Sequence, residues 1–128
     1  MIKIHKFLLT TLCATTMFAE VATIDATPKN ISEFKQIIDI RTPPEWHNTG
    51  VIKGAKLITM TNDKEGFLMS LKAAGIDTKE PIALICRSGA RSRAFAEFIN
   101  GDNLKIINLH GGMSSLIAKG YQTVSPNQ

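Results

Sequence analysis

One segment concentrates the groups suited to covalent chemistry: Cys86-Arg87-Ser88-Gly89-Ala90-Arg91-Ser92. A cysteine reacts as its thiolate, and at an ordinary pKa of ~8.5 it is only about 3% ionised at pH 7. A pKa of roughly 6 would raise that to about 90%, which corresponds to ~3.4 kcal/mol of preferential stabilisation of the anion. Two guanidiniums, Arg87 and Arg91, and a helix start just beyond Cys86 can provide it, because the first amides of a helix lack intrahelical partners and face the positive end of its dipole. Gly89 lets the chain curl so that several amides turn inward. The pattern therefore points to a nucleophilic thiol beside an anion site. Four apolar residues, Ile82-Ala83-Leu84-Ile85, precede Cys86 and taken alone would mark an inert core cysteine. The arginines argue otherwise, since charges beside a buried thiol would themselves have to be desolvated.

Other polar residues read as supporting parts. Asp39 and Arg41 fit a hydrogen-bond acceptor at a strand end and its framework ion-pair partner better than a catalytic pair. His47 and His110 lack the accompanying carboxylate spacing of a metal site and read as loop histidines. Ser92 reads as a helix-start hydroxyl that can bond the loop, Trp46 as a packing residue and Arg93 as a solvated one.

The elements that must hold this loop alternate along the chain. Val21 to Ile24 reads as a first edge strand, Pro28, Lys29 and Asn30 as a turn, and Ser32 as the cap of a short helix through Lys35. Ile37, Ile38 and Ile40 form a buried strand that Pro43 and Pro44 close. Val51 to Ile58 is a weaker strand interrupted by Gly54. Phe67, Leu68, Leu71 and Ala74 recur at helical spacing, with Gly75 as the stop. Ile82 to Ile85 reads as a central strand. Ala94, Phe95, Phe98 and Ile99 make the apolar stripe of a helix beginning near Ser92, with Arg93 and Glu97 paired outside and Asn100-Gly101 at its end. Leu104 to Leu109 is another strand, followed by a turn at Gly111-Gly112 and a last helix carrying Met113, Leu116 and Ile117. This alternation predicts an α/β domain with a mainly parallel central sheet and helices on both faces. In such a sheet ligands bind where a strand's carboxyl end turns into a helix, and Cys86 falls at such a place.

Residues 1–19 read differently: Lys3 and Lys6 precede an uncharged run of 13 residues, Phe7 to Ala19. A spanning helix needs about 20, so a cleavable secretory signal is expected, with Ala19 at the cut and residues 20–128 as one domain. No stable membrane insertion is expected after its removal. Cleavage would take Cys13 with it and leave Cys86 as a single thiol in an exported, periplasmic protein. Without Lys3 and Lys6 the net charge falls from +4 to +2, and the basic residues are scattered outside the cysteine loop. Nucleic acid is not an expected partner.

The cysteine segment resembles the active-site loop of rhodanese domains, in which Cys-Arg-x-Gly-x-Arg forms a six-residue cradle. Ile38-Asp39-Ile40-Arg41-Thr42-Pro43-Pro44-Glu45-Trp46 is similar to that family's early Asp-x-Arg-x-x-x-Glu-aromatic segment. Gly50-Val51-Ile52-Lys53-Gly54-Ala55 resembles its Gly-His-Ile-x-Gly-Ala segment, and Asn108-Leu109-His110-Gly111-Gly112-Met113 its late Leu-x-Gly-Gly segment. The likeness runs from about Ile24 to Val124. Val51 replaces the usual histidine and Leu116 a common tryptophan; neither lies in the cysteine loop.

The resemblance implies a sulfurtransferase. Cys86 would accept the outer sulfur of thiosulfate or a similar anionic donor as a persulfide and pass it to cyanide or a thiol, in two half-reactions. Arg87 and Arg91 would bind the donor. Backbone amides from Arg87 through Ser88, Gly89 and Ala90 to Ser92 would stabilise the persulfide. No metal or organic cofactor is implied. The same loop also suits a periplasmic persulfide or polysulfide carrier that hands sulfur to a sulfur-metabolism partner with little turnover of its own. Phosphatases and arsenate reductases resemble a Cys-x5-Arg pattern, whereas four residues separate Cys86 from Arg91. A smaller cradle suits sulfur better than a phosphate ester.

Overall fold

In the computed structural model residues 21–101 and 103–127 are described; the expected signal, residues 1–19, lies outside them. The strands are Ala22–Asp25 (β1), Ile37–Asp39 (β2), Lys56–Leu57 (β3), Ile82–Ile85 (β4) and Ile106–His110 (β5). They form one sheet in the order β1-β5-β4-β2-β3, every neighbouring pair parallel. The helices are Pro28–Ile31 (α1), Pro43–Thr49 (α2), Lys64–Ala73 (α3), Ala90–Ile99 (α4) and Gly112–Ala118 (α5).

The middle strand β4 is buried at every position, as its unbroken apolar sequence requires. Its side chains alternate between two cores. Ile82 and Leu84 join Ile38, Ile106, Phe67 and Leu71 of α3, and Phe95, Ala96 and Ile99 of α4. Ala83 and Ile85 join Ile37, Ile107, Leu109, Ile31 of α1, and Met113 and Leu116 of α5. Helices thus cover both faces, as expected for this α/β class. Each isoleucine withdrawn from water contributes roughly 1.5–3 kcal/mol, so the strand that ends at Cys86 is among the most firmly anchored segments.

Several local expectations are corrected. Pro43 and Pro44 do more than close β2: they open α2, where a missing N–H costs nothing and a preset φ suits the first turn. Thr42 starts that helix, and Glu45 reaches back to the Thr42 N–H at 3.3 Å. Pro28 to Ile31 is a helical turn capped by Thr27, whose hydroxyl accepts from Asn30 N at 3.0 Å. Ser32 sits at its other end and donates to Lys29 O at 2.6 Å. Of Val51 to Ile58 only Lys56–Leu57 joins the sheet, while Val51 pairs antiparallel with Val124 and ties down the C-terminal segment. α4 begins at Ala90, just before Ser92, and it buries Ser92, Phe95, Ala96 and Ile99. Ala94 and Phe98 are exposed. The inward face is set by Ser92, and positions 94 and 98 lie off the stripe that continues from it at helical spacing.

At the carboxyl end of β2, Asp39 and Arg41 form a buried pair, their side chains 0% and 1% exposed. The Asp39 carboxylate accepts from Arg41 Nη2 at 2.7 Å, Nε at 2.9 Å and the Arg41 main-chain N–H at 3.1 Å. Arg41 also donates to Thr49 Oγ1 at 2.8 Å and Gly50 O at 3.1 Å, which pins the end of α2 to the sheet. Asp39→Asn should destabilise the protein by about 3–5 kcal/mol in urea unfolding, because a guanidinium would remain buried without its counter-charge.

Candidate active site

The loop between β4 and α4 wraps its own first residue. Cys86 is 1% exposed at the end of β4. Its Sγ accepts from Gly89 N at 3.1 Å and Ser92 N at 3.3 Å, and Ser92 Oγ lies 3.3 Å away. Both donors belong to the start of α4, where amides have no intrahelical partner. Gly89 adopts φ +98°, a left-handed conformation that carries the chain from strand to helix within hydrogen-bond reach of the sulfur. Burial by itself pushes the Cys86 thiol up. Hydrogen bonds from the Ser92 side chain and from the Ser92, Gly89 and Ser88 amides outweigh it and bring the thiol below its ordinary value. Ala90 presents its amide at the first position of α4 but is not among the groups bonded to the sulfur.

A second turn closes over this loop from β5. Met113 N donates to Cys86 O at 2.8 Å and Ser114 N to Arg87 O at 2.9 Å, so the first turn of α5 holds the loop's carbonyls outward while its amides face the thiol. The approach requires glycine: a Cβ on Gly112, at φ +60°, would sit 2.5 Å from Cys86 O and 2.6 Å from Arg87 C.

The two arginines have different surroundings. Arg91 is held by Glu45 of α2, Nη2 to Oε2 at 2.6 Å and Nη1 to Oε1 at 3.0 Å. The hydrogen bond from Arg91 lowers Glu45 from an ordinary 4.5 to about 2. Arg91 is itself raised, chiefly by Glu45, with the Cys86 charge contributing less. Its guanidinium is thus already engaged by a carboxylate. Arg87 is exposed, has no ion-pair or hydrogen-bond partner for its side chain among the described residues, and lines a cavity of about 290 Å³ with Asn48, Ser114 and Ile117. Asp39 and Arg41 lie beneath this region as the buried pair already described, and Arg41 reaches the cavity wall. On the far side of Arg91 a wider groove of about 470 Å³ is lined by Met60, Ala94, Phe95 and Phe98. His47 is an exposed residue of α2 and His110 an exposed residue ending β5.

Glu45 and Asn108 lie within the motifs, and the sequence alone gives neither a partner. The signal for Glu45 was its place three residues after Thr42, a capping-box spacing that fixes where its carboxylate emerges. Nothing local marks Asn108, a polar residue inside an apolar strand whose side chain is buried against Ser92.

The model for the rhodanese-like domain family matches residues 23–119. The chain belongs to the rhodanese-like domain family. Among curated proteins no match is found. A rhodanese-like domain protein from Staphylococcus aureus is 28% identical, with 82% of this chain and 100% of that one covered and a TM-score of 0.62. A rhodanese-related protein from Thermoplasma volcanium is also 28% identical, covering 80% of this chain and 97% of that one, again with a TM-score of 0.62. A Staphylococcus saprophyticus protein at 24% identity shares the fold, with a TM-score of 0.59 over 80% of this chain and 98% of its own. The two departures from the usual rhodanese pattern, Val51 and Leu116, are both core residues, 4% and 0% exposed. Val51 pairs with Val124 and Leu116 packs in the core covered by α5, and neither lies in the cysteine loop.

Two outcomes follow from the rhodanese loop's supports. Gly112→Ala should lower stability by at least about 2 kcal/mol in urea unfolding, because both its left-handed backbone and the loop carbonyls oppose a methyl group. Glu45 has its pKa depressed by folding, so its contribution is complete above about 4.5 and disappears as pH falls toward about 2. The stability difference between wild type and Glu45→Gln, screened by solvent to about 1 kcal/mol or less, should shrink across that window in denaturation curves taken at stepped pH.

Proposed function

We propose that the protein is a sulfurtransferase that carries sulfane sulfur on Cys86, drawn from an anionic donor of the thiosulfate class. The observation that carries this reading is a fully buried thiol whose Sγ nevertheless receives N–H groups from Gly89 and Ser92. A buried cysteine with only a packing role has no use for donors converging on its sulfur.

In the first half-reaction the Cys86 thiolate attacks the outer sulfur of thiosulfate. A new S–S bond forms, the donor's S–S bond breaks, and sulfite leaves with the electron pair. In the second, cyanide or a thiolate attacks the outer sulfur of the persulfide, and the Cys86 thiolate departs with the bonding pair. The amides around the loop stabilise the anion present at each stage. Arg87, exposed at the cavity rim and unpaired, attracts the donor. Arg91 acts mainly through Glu45, holding α2 against the loop, and adds positive potential at the sulfur. No cofactor enters the scheme. The reading includes export: residues 1–19 act as a cleavable signal, and the mature protein meets its donor, its acceptor or a sulfur-metabolism partner in the periplasm.

Thiosulfate:cyanide and thiosulfate:thiol assays should show many turnovers with ping-pong kinetics, and Cys86→Ser should abolish them. Arg87→Ala should raise KM for thiosulfate about tenfold while changing kcat less, the expected loss of one charge-assisted contact. A wild-type protein that neither turns over nor gains the ~32 Da of one sulfur atom with any sulfane donor would overturn the proposal. Loading without turnover would leave a carrier instead.

A further inference from the structure

The Ser92 hydroxyl has one hydrogen and three neighbours competing for it. Its Oγ lies 3.3 Å from Cys86 Sγ and 3.2 Å from Gly89 O, and it bonds Asn108 Oδ1 closely. Ser92 and Asn108 are 0% and 1% exposed, so bulk water does not relieve the competition. A protonated Cys86 fits this arrangement: its S–H donates to Ser92 Oγ, and Ser92 donates onward to Asn108 Oδ1. A thiolate does not. It has no hydrogen, so Ser92 must donate to it, and two lone-pair oxygens, Ser92 Oγ and Asn108 Oδ1, would then face each other. Half a turn of the Asn108 amide about its last side-chain bond removes that conflict by bringing Nδ2, a donor, to the place of Oδ1. Among the described residues Asn108 Nδ2 makes no hydrogen bond as it stands, so the rotation sacrifices none of its own. Asn108 shares the α4-covered face of β5 with Ile106, which keeps its amide against Ser92 in either orientation.

We propose that Asn108 is a positioning residue whose amide sets the direction of a Cys86–Ser92–Asn108 hydrogen-bond chain. The chain runs from sulfur to amide oxygen while the thiol is protonated, and from amide nitrogen through the Ser92 hydroxyl to sulfur once it is ionised. The proton lost on ionisation leaves to solvent, and the rotation transfers none. When Asn108 donates to Ser92, the hydroxyl hydrogen goes to the anionic sulfur in preference to the neutral Gly89 carbonyl, because a charge-assisted bond is the stronger. This inference rests on the reading of Cys86 as a working thiolate. The charged and titratable groups around the loop are Arg87, Arg91 with Glu45, Asp39 with Arg41, and His110. All are unchanged in the variants that test it.

The test is the pH dependence of Cys86 alkylation by iodoacetamide, followed at the Cys86 peptide by mass spectrometry, in full-chain wild type, Asn108→Leu, Ser92→Ala and the double variant. Asn108→Leu should raise the apparent thiol pKa by about one unit, slowing alkylation about tenfold below that pKa. In the Ser92→Ala background it should add nothing, whereas a general packing defect would act in both. An unchanged profile for Asn108→Leu, or equal shifts with and without Ser92, would overturn the proposal. Should Asn108→Leu fail to fold, the Asn108 side-chain amide resonances of wild type serve instead. They should shift with the Cys86 titration and lose that shift in Cys86→Ser; pH-independent resonances would count against the chain. No sulfur donor is involved, so this coupling and sulfur transfer can fail independently.

Discussion

A sulfur atom at the end of the most buried strand is made anionic-tolerant by amides that its own loop aims at it, and most of the surrounding structure serves that aim. Desolvation alone would keep the Cys86 thiol protonated and inert. The opposing interactions come from the first turn of α4, whose N–H groups have no helical partners and therefore carry no penalty for being spent on the sulfur. Because a hydrogen bond weakens steeply with misalignment, the loop must be held closely, and this explains why three separate segments converge on it.

Each of those segments contributes a different restraint. The Gly111-Gly112 turn brings α5 against the outer side of the loop, where Met113 N and Ser114 N donate to the carbonyls of Cys86 and Arg87, which leaves the amides on the inner side. Glu45 clasps Arg91 from α2 and also closes the first turn of its own helix, so one carboxylate joins the two helix starts that flank the cavity. Beneath them the Asp39–Arg41 pair reaches Thr49 and Gly50 and fixes where α2 ends. The charges nearest the thiol are thereby divided: Arg91 belongs largely to the framework, while Arg87 remains open to an incoming anion.

The polar residues on the helix-covered face of the sheet show the same economy. Ser92 occupies an inward position of α4 that a stripe of apolar residues would otherwise fill, while Phe98 lies exposed in the groove beside Arg91. Asn108 interrupts the apolar side chains of β5 and sets its amide oxygen against that hydroxyl. The two buried polar side chains are tolerated side by side because the Ser92 hydroxyl donates to the Asn108 amide oxygen.

Much of this was legible in the chain by itself. The unbroken apolar run Ile82 to Ile85 and the isoleucine-rich segments around Ile38 and Ile106, separated by helical stripes and glycine stops, point to a parallel sheet between helices, an arrangement that buries both sides of such strands. The strand-to-helix position of Cys86, the glycine that curls its loop and the flanking arginines follow from local order alone. Short elements were less readable: Pro43-Pro44 ends one element and begins another, and proline signals both equally well. Partnership was decided only by the tertiary structure. Glu45 lies 46 positions from Arg91, and Asn108 lies 16 from Ser92, so no local pattern joins them. Their meeting depends on strand order and on which face each helix turns inward, and those are settled by packing the whole sheet at once.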